Sequence, residues 1–349
     1  MKKLIALLLA LTMVFALCAC GSTSGKGTPD GSDKAASGDA SKYDKVSLKL
    51  SCNGTDTAND TKTAKAFADL VKEKSGGNVT ITVYNNDQLA SGDMHKGLEL
   101  VLDGTVDMDC HSTSIISSLD NSLMVSTLPW LFKSYQDAED AFWGDGGKYI
   151  DSVLQTKGLV YMGAVHNGFK MMTSSKHLIK QPSDLQGLKM RIPGGDFFSA
   201  FYKAYGASPQ AMSWAEVFSA LQQGTIDGHD NSISTCYSNN IQEVQKYFTV
   251  SHHTYEAFTF MANKAKFDTL NADTQKLLRD CLEEACKTEN KEIADNEATL
   301  IKECEDKNKC EFYTFTDEDI AKWRAPIEDL ITQYKGIYGD AACTAFKVP

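Results

Sequence analysis

The chain has 349 residues and carries 46 acidic against 35 basic side chains, a formal net charge of −11 at pH 7. An acidic chain with scattered lysines offers no basic footprint for nucleic acid, so we expect no partner of that class. About 300 residues follow the targeting and linker segments described next, which is more than one compact core usually holds and predicts two lobes.

The first 19 residues have the features of a secretion signal. Two lysines precede an apolar run over residues 4–17, which is too short to span a bilayer comfortably because a spanning helix needs about 20 residues. The run ends in the letters LCACG, in which Cys20 is the second cysteine. This ending resembles the lipobox of bacterial lipoproteins, which implies a signal peptide over 1–19 and a lipid on the Cys20 thiol. An ordinary cleaved signal with a spare cysteine is the alternative.

A polar linker follows the cysteine. Residues 21–44 contain no aliphatic side chain larger than Ala and one aromatic residue, Tyr43. Such a segment cannot bury enough apolar surface to offset the entropy of ordering it. The sequence therefore predicts a lipid-anchored flexible linker over 20–44, and an exported protein held on the extracytoplasmic face of the cell membrane.

Strand-like and helix-like patterns alternate along the remaining chain, which indicates an α/β fold. The predicted elements in order are strand 46–52, helix 61–74, strand 79–84, helix 94–102, strand 106–110, and further alternating elements over 159–165, 189–192, 197–205, 214–223 and 226–229. Residues 271–305 contain neither Gly nor Pro and predict one long helix, roughly 50 Å at about 1.5 Å per residue. Asn271 or Asp273 is placed to cap its start.

Sequence motifs of common enzyme and metal sites are absent. There is no GxGxxG, GxxxxGK[ST], HExxH, GxSxG or CxxC pattern in the sequence. His252 and His253 are adjacent, and adjacent residues on a strand point to opposite faces, so they suit joint metal binding poorly. Cys304 and Cys310 are spaced for a disulfide at the end of the long helix, whereas most other cysteines read as small buried apolar residues. We expect no enzymatic activity, no metal and no cofactor.

Six segments carry a resemblance to a known family. In chain order they are YNNDQLASGD (84–93), LDGTVDMD (102–109), LPWLF (128–132), DLQGLKMRIP (184–193), GASPQAMSWAEVFSALQQGTIDGHDNS (206–232) and SNNIQEVQKYF (238–248). Their order and spacing together resemble the solute-binding proteins of TRAP transporters, of the DctP type. The resemblance covers nearly all of the chain after the linker.

The resemblance implies an architecture and a role. The fold is expected to be α/β, two-lobed and periplasmic-binding-protein-like (type II-like), with the long helix contacting both lobes. Lobe I is expected over 45–167 plus 257–296, and lobe II over 168–256 plus 297–349. The protein is expected to be a monomer that captures an organic acid between the lobes and delivers it to the small and large membrane subunits of the transporter. A binding protein for a signalling receptor and an exported α/β hydrolase are the alternatives.

Two residues are the main ligand-binding candidates. Arg191 lies among apolar residues on a predicted strand, where a guanidinium either forms a structural salt bridge or faces a cavity. The resemblance implies the cavity, because the family's arginine at this motif position binds the ligand carboxylate. It also implies a ligand contact for Asn231, for which an Asx turn is the alternative. Asp230 is expected to hold the loop or a neighbouring cation.

The resemblance adds four further ligand-binding candidates. Lys170 stands where many family members have a second arginine, and it either contacts the ligand or lies on the surface. Trp214 is placed against the ligand or in the core, and Asn53 is a polar ligand contact or a turn residue. Ser112 stands where the sialic-acid-binding branch has a glutamate, which disfavours sialic acid and favours a smaller organic acid.

Overall fold

The protein is described by a computed structural model over residues 40–349. The predicted signal peptide, Cys20 and most of the predicted linker lie outside the described residues. Within the described part, no helix has both the length and the apolar character needed to cross a membrane.

Strands and helices alternate along the described chain, as the sequence pattern predicts. The strands are β1 (Val46–Cys52), β2 (Val79–Tyr84), β3 (Met108–Ser112), β4 (Leu159–Phe169), β5 (Met171–Ser174), β6 (Lys189–Ile192), β7 (Ser208–Ala211), β8 (Gly228–Asn231), β9 (Tyr247–Val250), β10 (Tyr255–Asn263) and β11 (Glu311–Thr314). The α-helices are α1 (Asn59–Lys74), α2 (Met94–Leu102), α3 (Thr113–Ile116), α4 (Tyr135–Trp143), α5 (Asp145–Thr156), α6 (Asp196–Ala204), α7 (Trp214–Gln222), α8 (Ile233–Ser238), α9 (Lys264–Phe267), α10 (Ala272–Asn308), α11 (Asp317–Arg324), α12 (Glu328–Tyr338) and α13 (Asp340–Ala345).

The strands form two sheets, one in each of two lobes. The first sheet has five strands in the order β2-β1-β3-β10-β4, and the second has six in the order β11-β9-β5-β8-β6-β7. The chain passes from the first sheet to the second between β4 and β5, and returns between β9 and β10. The predicted two-lobed α/β fold is confirmed.

The carboxyl ends of several strands meet where the two sheets face each other. In the first sheet β1 and β3 are parallel, and β10 runs antiparallel to both β3 and β4, so the end of β3 lies beside the start of β10. In the second sheet β6 and β8 are parallel, and β5 runs antiparallel to β8. In open α/β sheets this edge is where ligands usually bind.

The long helix α10 contacts both lobes. It has 37 residues, which corresponds to about 55 Å, and it extends three residues beyond the predicted end at 305. Asn271 caps its start by accepting a hydrogen bond from the backbone nitrogen of Thr274 at 2.9 Å. The helix packs on α1 and β4 of the first lobe and on α8 and β11 of the second.

The end of the predicted linker is attached to the start of α10. The backbone nitrogen of Asn271 donates to Asp44 Oδ2 at 2.8 Å, and the backbone nitrogen of Asp44 donates to Thr274 Oγ1 at 2.9 Å. Lys42 lies 3.8 Å from Asp273. These contacts hold residues 42–44 against the helix, so the attached chain begins slightly before the predicted boundary at 45.

The described cysteines are all free thiols. Seven of them, Cys52, Cys110, Cys236, Cys281, Cys286, Cys304 and Cys310, are buried, and Cys343 is half-buried. Cys304 and Cys310, whose spacing allows a disulfide, are therefore not bridged. Instead, Cys310 Sγ lies 3.6 Å from each of the carbonyl oxygens of Gln242 and Gln245.

Candidate functional site

One cleft brings together the six predicted ligand-binding residues. It lies between the facing edges of the two sheets and is partly open to solvent. The predicted residues that line it are Arg191, Asn231, Lys170, Trp214, Asn53 and Ser112. The strand arrangement explains the convergence, because each of these residues lies at or just beyond the end of a strand or helix that meets this edge.

Arg191 is a buried cation without a carboxylate partner. Its side chain on β6 is only 3% exposed, and its Nε and Nη2 donate to the carbonyl oxygen of Met212 at 3.0 and 2.8 Å. Among residues 40–349 it forms no salt bridge, so the structural ion pair left open by the sequence is not present there. Burial lowers the pKa of Arg191 to about 10, which leaves the guanidinium charged at neutral pH.

Trp214 covers the guanidinium of Arg191. The ring centroid lies 5.4 Å from Arg191 Cζ, a distance at which a cation is attracted to the face of an aromatic ring. The indole Nε1 donates to Asn239 Oδ1 at 3.2 Å. Trp214 is half-buried at the start of α7 and lines the cleft, so it is not solely a core residue.

Asn231 presents an unused donor to the cleft. Its Oδ1 accepts from the backbone nitrogen of Ser232 at 3.0 Å. No hydrogen bond within the described chain uses its Nδ2. The side chain is nevertheless nearly buried, so a ligand acceptor is the natural partner for this amide.

Lys170 is a buried cation with two carboxylate partners. It is 1% exposed, so the alternative that it lies on the surface is wrong. Its Nζ lies 3.2 Å from Asp230 Oδ1 and 2.8 Å from Glu256 Oε2. Although burial lowers the pKa of the Lys170 ammonium, the charges of Asp230 and Glu256 raise it further, so its pKa stands above the usual value.

Asp230 forms an ion pair with Lys170, which is one of the two roles predicted for it, that of holding a neighbouring cation. Its Oδ2 accepts from Tyr202 Oη at 2.7 Å and from His253 Nε2 at 3.2 Å. Burial alone raises the pKa of Asp230, but Lys170 and these hydrogen bonds together hold it well below the usual range. Asp230 is therefore ionised at neutral pH.

Glu256 is a cleft residue that the sequence analysis missed. It lies on β10 with one oxygen accepting from Lys170 and the other from the backbone nitrogen of Ser114 at 2.8 Å. It is almost fully buried and lines the cleft. A single acidic residue in the apolar run YEAFTFMA was the available signal, because a buried carboxylate needs a partner.

Asn53 and Ser112 occupy the first-lobe side of the cleft. Asn53 Nδ2 donates to Asp87 Oδ2 at 2.5 Å, and Ser112 Oγ lies 3.0 Å from Ser114 Oγ. Asn167 and Thr235 also line the cleft without having been predicted, and Thr235 Oγ1 donates to Asn167 Oδ1 at 2.9 Å. Nothing in the sequence around these last two residues distinguishes them from ordinary turn residues.

A hydrolytic site would need a nucleophile with a base beside it in the cleft. The one cysteine near a histidine ring nitrogen in the described chain is Cys236, whose Sγ lies 3.9 Å from His229 Nε2. Both side chains are fully buried and neither lines the cleft. Burial raises the pKa of the Cys236 thiol well above its usual value, which disfavours the reactive thiolate.

No group of residues within 40–349 is arranged to hold a metal ion.

Several known proteins are similar to this chain in sequence and in fold. The C4-dicarboxylate-binding periplasmic protein DctP of Rhodobacter capsulatus is 32% identical over 288 residues, which cover 81% of this chain and 86% of the relative. A TRAP periplasmic solute-binding protein from Ralstonia eutropha H16, solved with bound (S)-2-acetolactate, superposes with a TM-score of 0.82 at 25% identity, covering 86% of this chain and 98% of that one. Another from Sulfurospirillum deleyianum, solved with bound succinate, has a TM-score of 0.81 at 26% identity, covering 87% and 99%.

A family model accounts for most of the chain. The model described as "Bacterial extracellular solute-binding protein, family 7" matches residues 51–336, which include the whole cleft, the second sheet and all of the first sheet except most of β1. The six segments on which the sequence resemblance rests all lie inside this range. The chain therefore belongs to the DctP family of extracellular solute-binding proteins, the binding components of TRAP transporters.

Proposed function

We propose that this protein captures an organic acid in the cleft between its lobes and delivers it to the small and large membrane subunits of a TRAP transporter. The observation that carries the proposal is Arg191, a charge that is 3% exposed and has no carboxylate partner in the described chain. A buried, unpaired charge is costly, and a ligand carboxylate would recover that cost. The relatives solved with acetolactate and succinate bind ligands of this class.

Arg191 is proposed as the main anchor of the carboxylate. Its guanidinium keeps N–H groups that Met212 does not use, and their planar arrangement suits the two oxygens of a carboxylate. Asn231 Nδ2 would donate to the same group, and Trp214 would cover it. Lys170, Asn53 and Ser112 are proposed to contact the remainder of the ligand.

Closure of the lobes is proposed to accompany binding. Two bonds, here called the cleft-mouth hydrogen bonds, join the proposed lobes: Thr55 Oγ1 donates to Asn239 Oδ1 and Thr57 Oγ1 to the carbonyl of Ser238, each at 3.0 Å. Excluding water strengthens the ion pair with Arg191, and ligand contacts made on both sides favour the closed form. Sheet membership supports the outline of the proposed division into 45–167 plus 257–296 and 168–256 plus 297–349. The first-sheet strands β4 and β10 each extend two residues beyond its boundaries, to Phe169 and from Tyr255.

The family is extracellular, so the chain is an exported protein. We further propose that it works as a monomer without enzymatic activity, held at the membrane by a lipid on Cys20. The lipobox-like residues before Cys20 support this anchor. The contacts of residues 42–44 with the start of α10 would then fix the point at which the linker joins the domain.

A thermal-shift screen tests the ligand class and the anchor. The ligands would be mono- and dicarboxylates, keto acids, sugar acids, amino acids and neutral sugars. A ligand that binds only the folded state raises the melting temperature, and we expect a carboxylate to do so. In Arg191→Ala the shift should vanish, because losing one partner of a buried charge pair costs about 2–5 kcal/mol, or 30-fold or more in affinity.

The matched control is Arg324→Ala, which removes a half-buried arginine at the end of α11, outside the cleft lining. This variant should keep the full shift. An unchanged shift in Arg191→Ala would exclude Arg191 as the anchor. A response to neutral sugars alone would exclude organic acids as the ligand class.

A further inference from the structure

The two cations of the cleft differ in how far they are neutralised. Arg191 has no carboxylate within salt-bridge distance among the residues described, whereas Lys170 has two, Asp230 and Glu256. The Lys170 end of the cleft, meaning Lys170 with Asp230 and Glu256, therefore carries an excess of one negative charge. Arg191 itself carries one positive charge, on which the charges of Asp230 and Glu256 also act. The four buried groups sum to zero before any ligand enters.

A second ligand carboxylate would be disfavoured at the Lys170 end. To use the ammonium, it would have to share Nζ with Glu256, whose Oε2 already lies 2.8 Å away. The ligand group would be the third carboxylate at one ammonium, which leaves the three negative charges poorly compensated in a buried site where screening by water is weak. Asp230 cannot turn aside, because Tyr202 and His253 hold its other oxygen.

An uncharged donor fits the same place. Each oxygen of Glu256 accepts one hydrogen bond, from Ser114 and from Lys170, and a carboxylate oxygen can accept two. A ligand hydroxyl would find a free lone pair on Glu256. The cleft lining also includes the apolar side chains of Met94, Ile115 and Phe258, which suit a short carbon chain.

We propose that the ligand is a monocarboxylate whose far end carries an uncharged hydrogen-bond donor, and that Glu256 is the residue that rejects a second carboxylate. The inference rests on the proposed function, because it takes Arg191 as the anchor of the first carboxylate. It separates this chain from relatives that bind dicarboxylates, such as the protein solved with succinate.

Matched ligand pairs test the proposal. Succinate and 4-hydroxybutyrate have the same carbon chain and differ only in a distal carboxylate or hydroxyl, and malonate with 3-hydroxypropionate and glutarate with 5-hydroxypentanoate extend the series. Dissociation constants would be measured by calorimetry. For the chain length that fits, wild type should bind the hydroxy acid about tenfold or more tightly than its diacid, as expected for like charges in a buried site.

Glu256→Gln is the decisive variant. The glutamine keeps an acceptor for Ser114 or Lys170 but removes the negative charge, so the preference for the hydroxy acid should shrink by about tenfold or reverse. The control is Glu216→Gln on the exposed start of α7, whose charge also acts on Arg191 but lies outside the cleft lining. Its preference should equal that of wild type. The preference is a ratio within one variant, so a change in stability does not affect it.

The outcomes separate the two proposals. If no hydroxy acid of the series binds wild type more tightly than its diacid, or if Glu256→Gln leaves the preference unchanged, the role of Glu256 is wrong. Diacids that bind as well as hydroxy acids, and lose binding in Arg191→Ala, would overturn this inference while leaving organic-acid capture intact. Failure of every carboxylate in the broader screen would overturn the proposed function itself.

Discussion

At the scale of single residues, Arg191 and Lys170 are two buried cations in one cleft that are suited to different tasks. Lys170 is held between Asp230 and Glu256, so its charge is already satisfied. Arg191 has only the carbonyl of Met212 and the ring of Trp214, so it keeps the capacity to bind an anion. The absence of a neighbouring carboxylate at Arg191, and its presence at Lys170, is therefore the reason why Arg191 is proposed as the main ligand anchor.

His229, on β8 near Arg191, supports a pH prediction. Burial first, and the charge of Arg191 second, lower the pKa of His229 to about 4, against about 6.5 in an unfolded chain. Between these pH values the unfolded state binds a proton that the folded state does not. Above pH 6.5 the titration of His229 does not change the unfolding free energy. As the pH falls from 6.5 to about 4, it lowers the unfolding free energy by about 1.4 kcal/mol per pH unit.

Urea unfolding of wild type and His229→Gln at pH 7, 5.5 and 4.5 measures this contribution. Between pH 7 and pH 4.5, the unfolding free energy of wild type relative to that of the variant should fall by about 2.4 kcal/mol. Comparing the difference, and not wild type alone, removes the opposite effects of Asp60 and Glu289, whose pKa values burial raises to about 6 and about 7. A difference that is the same at all three pH values would contradict the prediction.

The residues of the cleft were predictable to different degrees. Arg191 stands out in the sequence as a charge among apolar strand residues, and the family resemblance was needed to choose between its two explanations. Glu256 has the same appearance, yet the sequence does not reveal that its partner is Lys170, 86 positions earlier. Pairing across two sheets is a tertiary property, and local pattern carries no information about it.

At the scale of elements, the long helix α10 links the beginning of the described chain to both lobes. Asn271 has two functions at its start, because its Oδ1 caps the helix and its Nδ2 donates to the carbonyl of Lys42 and to Asp44 Oδ1, at 3.1 and 3.0 Å. A single side chain therefore both caps the start of α10 and holds the segment before β1 against it.

Asn271→Ala should lower the unfolding free energy by about 1–2 kcal/mol, because a helix cap is lost. Hydrogen exchange at residues 42–46 should also become faster, since the amide that holds this segment is removed. Asn296→Ala, the same substitution at an exposed position in the middle of α10, is the control. It should raise the unfolding free energy by up to about 0.7 kcal/mol, because Ala favours a helix interior more than Asn does, and it should leave the exchange rates at 42–46 unchanged. Equal effects of the two variants would show that the cap contributes nothing.

Elements with a clear local period were predicted well. The strand over 79–84 and the helix over 94–102 have their predicted bounds, because alternation and helical spacing are local properties. β3 was predicted over 106–110 but lies at Met108–Ser112. The backbone nitrogen of Val106 donates to the carbonyl of Leu100 in the turn after α2, and pairing with β10 extends the strand to Ser112. Turn geometry and the partner strand, both non-local, set these bounds.

At the scale of the whole molecule, the cleft-mouth hydrogen bonds connect closure to the ligand site. Asn239 Oδ1 accepts from Thr55 on one side of the cleft and from Trp214 Nε1 on the other. The ring that covers Arg191 is thus linked to the contact between the lobes. A ligand that draws Arg191 and Trp214 into place would support the same contact.

Replacing Thr55 and Thr57 together by valine should speed ligand release about tenfold with little change in the association rate, because each net hydrogen bond contributes about 0.5–1.5 kcal/mol to the closed form. Stopped-flow displacement of a bound carboxylate measures the release rate. Thr82→Val, on an exposed position of β2, is the control for the same isosteric change. Slower association with unchanged release would instead place these threonines on the route of entry.

The free thiols of the fold have a consequence for the environment in which the protein works. Between residues 40 and 349 no covalent cross-link contributes to stability, so folding requires no oxidant and no thiol isomerase. Burial raises the pKa values of Cys52, Cys110 and Cys286 well above the usual range, which suppresses the thiolate that oxidants attack. We therefore expect this domain to fold, and to keep its seven buried thiols reduced, whether or not its surroundings contain oxygen.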